Sequence, residues 1–172
     1  MKRTIMMFVM IGGVFLGSVV LSAPQFGTKE DVEYSGKLWK ALLNAKLVGL
    51  NAIGALPYAA AVHKKVLITL DSEVEVGNHT GKVIVKKMFQ GKNVNVENVA
   101  NNPNKNLKFV AVMFQREKGF DTKNQDWFYI RYDAKGTPTK NKKGMLMVGR
   151  FPKCISCHQS APGGDYIYSY SR

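Results

Sequence analysis

Leu107-Lys108-Phe109-Val110-Ala111-Val112-Met113-Phe114-Gln115 is the strongest strand-forming stretch of the chain, and the segments on either side of it decide the fold class. The turn-rich Lys118-Gly119-Phe120-Asp121 follows it, and Trp127-Phe128-Tyr129-Ile130-Arg131-Tyr132 then supplies another strand. Upstream, Val66-Leu67-Ile68-Thr69-Leu70 has the β-branched content of a strand. Asp71 to Gly81 carries turn formers, and Lys82 to Phe89 is a strand again. Alternation puts Val83, Val85 and Lys87 on one face of that segment and Ile84, Lys86 and Met88 on the other. Lys86 thus stands among apolar neighbours, where a lysine either snorkels to water or is specially used.

Farther out the pattern weakens. Gly91 to Lys105 is polar and Asn-rich and reads as a loop with a helical turn at Val94 to Ala100, and Asp133 to Gly144 is a basic loop or hairpin. Met145 to Val148 reads as a short strand, and the alternating tyrosines of Asp165 to Tyr170 suit a last edge strand. Toward the N-terminus, Leu38, Trp39, Leu42, Leu43, Leu47 and Leu50 recur at helical spacing, which predicts an amphipathic helix from Tyr34 to Leu50 with Ser35 as its cap. The stretch Asn51 to Ala61, with Gly54 and Pro57, reads as a loop or helix end followed by an extended segment. The expected fold is α+β, an antiparallel sheet with an N-terminal helix packed on it.

Chemistry enters with Cys154-Ile155-Ser156-Cys157-His158. Two thiols three positions apart can each form a thioether to one haem vinyl group while the adjacent imidazole reaches the iron. On this reading Cys154 and Cys157 anchor a c-type haem near the C-terminus and His158 is its proximal ligand. A disulfide, half of a zinc site and a thioredoxin-like redox pair are the alternatives. Zinc would want two further Cys or His ligands at recognisable spacing, and a redox C-x-x-C is expected to open a helix near the start of a βαβ unit.

The first residues bear on compartment. Lys2 and Arg3 precede an apolar run from Ile5 to Val20, and Val20-Leu21-Ser22-Ala23 offers small residues for cleavage. Residues 1–22 therefore read as a signal peptide, with cleavage after Ser22 because Pro24 would follow a cut at Ala23. The run is short for the roughly twenty residues of a membrane span, so the exported chain is expected in the periplasm with no span after cleavage. Covalent haem attachment outside the cytoplasmic membrane agrees with that. Residues 23–172 are enough for a single haem-binding domain with one core. Both cysteines of the chain lie in the motif, which leaves none for a structural disulfide. The formal charge of +13 favours acidic partners, anionic surfaces or small anions. Nucleic acid is a poor fit, because the basic residues are scattered and no nucleic-acid-binding motif is visible.

In order and spacing, Gly81-Lys82-Val83-Ile84-Val85-Lys86, Val112-Met113, Asp126-Trp127-Phe128-Tyr129, the Cys154–His158 motif and Asp165-Tyr166-Ile167-Tyr168 resemble the cytochrome P-460 family and its relatives, the cytochromes c′-beta. The resemblance implies a mainly β, homodimeric, periplasmic monohaem protein whose five-coordinate iron meets small nitrogen oxides. In P-460 members a lysine of the Gly-x-x-x-Val-Lys strand is bonded to the haem macrocycle, and the enzyme oxidises hydroxylamine. In c′-beta members that bond is absent, the distal pocket is apolar and phenylalanine-lined, and the protein binds nitric oxide. By position, Lys86 is the candidate cross-linking lysine; Lys87 follows where many relatives have glutamate.

Function then turns on the sixth position of the iron. His63, His79, Met88, Met113, Met145 and Met147 could fill it and make a plain electron-transfer cytochrome. An open position is the preferred reading, with Phe89, Phe109, Phe114 and Phe120 as candidate wall residues. Hydroxylamine oxidation also wants a base. Glu97, Glu117, Asp121 and Asp126 lie in the central region, and Glu117 is the candidate by its place after the strong strand. A redox partner, acidic to match the basic chain, would take the electrons in that case.

Overall fold

The computed structural model describes residues 26–60 and 65–168. The signal peptide and His63 fall outside the described residues. Helix α1 runs Lys29–Asn44 and starts earlier than its apolar periodicity predicts. Its cap is Thr28 rather than Ser35: the Asp31 amide donates to Thr28 Oγ1 at 3.1 Å and the Thr28 amide donates to Asp31 Oδ2 at 3.2 Å, a reciprocal capping box. Ser35 lies inside the helix, fully buried, its hydroxyl donating to the Val32 carbonyl at 2.7 Å. The chain leaves the helix at Asn44, and Leu47 and Val48 are buried beyond it while Leu50 is exposed.

The sheet has six strands, β1 Tyr58–Ala60, β2 Lys65–Val76, β3 His79–Phe89, β4 Leu107–Gln115, β5 Trp127–Asp133 and β6 Val148–Gly149. Each pairs antiparallel with its sequence neighbour. The turn expected across Asp71 to Gly81 shrinks to Gly77 and Asn78. The polar residues Asp71, Glu73 and Glu75 are the exposed face of a strand whose other face buries Val74 and Val76. Gly77, at φ +68°, closes the hairpin.

Both faces of the central strands are covered. Against one lies α1, whose Leu38 and Leu42 share a core with Val83, Val85, Val110, Val112, Phe114, Phe128 and Ile130. The buried Tyr132 hydroxyl ties helix to sheet by donating to the Ser35 carbonyl at 2.7 Å. On the opposite face Ile84, Met113, Trp127 and Tyr129 pack against Tyr166 and Ile167, with Cys154 and Ile155 beside them. This double coverage is the physical reason that β3, β4 and β5 read as nearly continuous apolar runs.

Two short helices punctuate the connections. Helix α2, Val96–Asn101, is capped by Asn95, whose side-chain oxygen accepts from the Asn98 amide at 2.8 Å. Helix α3, Pro152–His158, carries the cysteines. The edge strand expected at Asp165 to Tyr170 is absent over residues 165–168: Tyr166 adopts a left-handed φ of +67° and, with Ile167, turns into the second core. No helix among the described residues is long and apolar enough to cross a membrane.

Candidate haem site

Pro152 begins α3, where its missing amide hydrogen costs nothing, and one turn later the helix presents two cysteines at i and i+3, hence on one side. Both are free thiols, so the disulfide alternative is not what the structure holds. Cys157 is exposed and Cys154 half-buried toward the sheet, where burial pushes its thiol up to about 11. Among the described residues no group of three or more His, Cys, Asp or Glu side chains is placed to hold a bare metal ion, which disfavours the zinc alternative.

His158 ends the helix. Its Nδ1 lies 2.7 Å from the Tyr166 carbonyl oxygen. A carbonyl only accepts, so the proton resides on Nδ1 and the lone pair on Nε2, the tautomer that ligates a metal. Tyr129 and Tyr168 flank the ring, each with its centroid 5.6 Å away.

Between α3 and the sheet lies a cavity of about 210 Å³. Ile84, Lys86 and Met88 of β3, Ala111 and Met113 of β4, and Tyr129 and Arg131 of β5 line it, together with Met147, Cys154 and His158. The residues suit a haem. Cys154 and an oriented imidazole meet an apolar wall, Cys157 stands exposed one turn along the same helix, and Lys86 and Arg131 supply the positive charge that anionic haem carboxylates require. Among the described residues the buried Tyr129 hydroxyl and Trp127 Nε1 have no hydrogen-bond partner, and such groups are rare unless something else meets them.

The β-register decides which of the two adjacent lysines reaches this cavity. Lys86 sits opposite Thr69 and Ala111, shares the face of Ile84 and Met113, and is only 8% exposed. Its ammonium donates to the Tyr168 carbonyl at 3.3 Å. Burial lowers its pKa, opposed by the charge of Cys157. Lys87 projects to the other face, toward α1 and α2.

The structure does not bring Glu117 to the cavity. Its carboxylate is held by Arg116 at 2.5 and 3.1 Å, and that guanidinium lies over the rings of Tyr34 at 3.8 Å and Phe120 at 4.4 Å. The Arg116 hydrogen bonds hold the Glu117 carboxyl below the usual range. Asp121 and Asp126 serve a turn: the Asp121 amide donates to Asp126 Oδ1 at 2.7 Å and the Asn124 amide group donates to Asp121 Oδ2 at 2.8 Å. Neither they nor Glu97 line the cavity. His79 packs on Phe114 with Nε2 at 3.0 Å from the Gln115 carbonyl, away from α3. Met88, Met113 and Met147 line the cavity, whereas Met145 is exposed.

Of the four candidate wall phenylalanines, only Phe109, paired with Met88, shares the cavity's face. Phe89 and Phe114 belong to the α1-side core, and Phe120 packs against Phe128. Sequence reasoning missed Tyr129, Arg131 and Tyr166. Alternation along β5 places Tyr129 and Arg131 on the face of Trp127. That this face meets the haem motif depends on the Met113–Tyr129 register and on the left-handed turn at Tyr166.

No curated protein and no solved structure matches the chain. A family model described as Cytochrome P460 matches residues 68–169, more than half of the chain, from β2 through the helix that bears the cysteines and the residues that follow. With every cavity-lining residue inside that span, the chain belongs to the cytochrome P460 family, haem cytochromes that act on nitrogen compounds.

Proposed function

We propose that the chain is an exported c-type cytochrome with one haem bonded to Cys154 and Cys157 and ligated by His158, and that it oxidises hydroxylamine at the open side of the iron. The observation that carries this reading is Lys86, buried in the same cavity as Cys154 and His158. The haem supplies a centre that binds the nitrogen compound and accepts its electrons. The chain's own residues do the rest. The Tyr166 carbonyl orients the His158 ring and strengthens it as a ligand. Desolvation favours the neutral, nucleophilic amine of Lys86; a bond from its Nζ to a macrocycle carbon would displace that carbon's hydrogen and require an external two-electron oxidant. An acidic redox partner suits the basic chain, and a homodimer in the periplasm suits the family.

Capture of nitric oxide without turnover is the second reading. It is favoured by the absence of any carboxylate among the residues lining the cavity. A methionine-ligated electron carrier is a third, given Met88, Met113 and Met147 in the wall.

Intact mass, absorption and hydroxylamine turnover of the purified holoprotein separate them. Hydroxylamine oxidation is expected with a haem-linked peptide that contains Lys86. No such peptide and no turnover, with tight nitric oxide binding, would establish the second reading instead, and a low-spin spectrum with methionine ligation the third.

A further inference from the structure

On the face of the sheet opposite the haem cavity lies a second cavity of about 310 Å³. The loop after α1 from Val48 to Ala55, helix α2 with Pro103 and Asn104, and the strand residues Ile68, Lys87 and Val110 enclose it. Lys87 is its one titratable lining residue; Trp39, Val48, Ile68, Val99 and Val110 are apolar. The Lys87 side chain is buried, at 7% residual exposure, and makes no hydrogen bond or ion pair among the described residues. Partial burial of the lysine in the cavity wall lowers its pKa, and no protein group among the described residues offsets that cost. The haem reading leaves this group unused.

We propose that this cavity is a binding site for a small carboxylate with an apolar body, its carboxylate paired with Lys87. A single cation with no second basic side chain and no helix N-terminus beside it matches a monoanion better than a phosphate. The apolar side chains in the wall favour a ligand whose remainder is hydrocarbon or aromatic. Leu50, 84% exposed, and Ile53, half-exposed, stand among the lining residues and give such a ligand an apolar entrance. The site is independent of the haem assignment, since a full sheet thickness separates the two cavities.

The test uses the full holoprotein with octanoate and, as a neutral analogue of equal length, octanol, each followed by titration calorimetry. Octanoate is expected to bind saturably with one site per chain, and octanol about tenfold or more weaker, the worth of a charge-assisted hydrogen bond. Lys87→Met should remove that discrimination while leaving the haem spectrum unchanged. The octanoate–octanol comparison on the wild-type protein stands even if the variant folds poorly. Equal affinity for the two probes, no saturable octanoate binding, or full octanoate affinity in Lys87→Met would overturn the proposal. So would a dimer, detected by sedimentation, that Leu50→Glu dissociates, because the mouth would then belong to a second copy.

Discussion

His158 Nδ1 and the carbonyl oxygen of Tyr166 are 2.7 Å apart across a turn that exists only because Tyr166 adopts a left-handed backbone conformation. The tautomer of the His158 imidazole is therefore set by the main chain, not by a side chain that substitution could remove. His158→Gly is expected to retain covalently bound haem but lose normal ligation and turnover. Imidazole added to the variant should restore much of the absorption spectrum, which an optical titration would show.

Lys86 and Lys87 are adjacent in sequence and project to opposite faces of β3. Lys86→Met is expected to abolish the haem-linked peptide and its spectral signature, whereas Lys87→Met should leave both unchanged. Peptide mass analysis of the two variants is the check; loss of the link in Lys87→Met alone would refute the register argument.

If both cysteines are thioether anchors, Cys154→Ser or Cys157→Ser should each leave haem attached through one bond, and only the double variant should release it on denaturation. Gel electrophoresis with in-gel haem staining distinguishes these outcomes.

Lys87 also makes a pH prediction. Its folded pKa lies below its ordinary value of 10.5, so the unfolded chain binds more protons between the two. Stability contributed by this group therefore rises with pH across that window and is lowest when the ammonium is charged in both states. Lys87→Met should be more stable at neutral pH, where the wild-type ammonium bears the cost of its partial burial. The difference should narrow as pH approaches 10.5. Thermal melts across the alkaline range would show this; a gap that stays constant or widens contradicts it.

Glu117→Gln should leave hydroxylamine turnover unchanged, since the carboxylate serves Arg116 rather than the cavity. Arg116→Ala, which uncovers the rings of Tyr34 and Phe120, should cost about 1–2 kcal/mol in stability. Steady-state kinetics and a thermal melt test the two halves.

Legibility in the sequence followed the range of the interaction concerned. β4 occupies the predicted residues, Leu107–Gln115, because strand preference there agrees with burial on both faces. The alternation that put Lys86 with Ile84 and Met88 also held, since it needs only the period of a strand. The start of α1 was hidden because Thr28 and Asp31 act through a backbone capping box before any apolar repeat begins. Asp71, Glu73 and Glu75 imitated a turn while forming the wet face of a hairpin. Glu117 and the four phenylalanines were sorted only by tertiary pairing, which no local pattern encodes. The same holds for Tyr166, a bulky residue in a conformation that glycine adopts more readily.

The strand order carries a consequence for biogenesis. Every strand pairs with the one before it, so the ladder grows in the direction of synthesis and is complete at Gly149, before the first cysteine emerges. Such next-neighbour connectivity keeps loop closure inexpensive at each addition. The helix that carries Cys154 and Cys157 needs no place within the hydrogen-bonded ladder. If Cys154 and Cys157 anchor haem as proposed, a chain built in this order can offer them for attachment from a scaffold already paired, and dock them afterward.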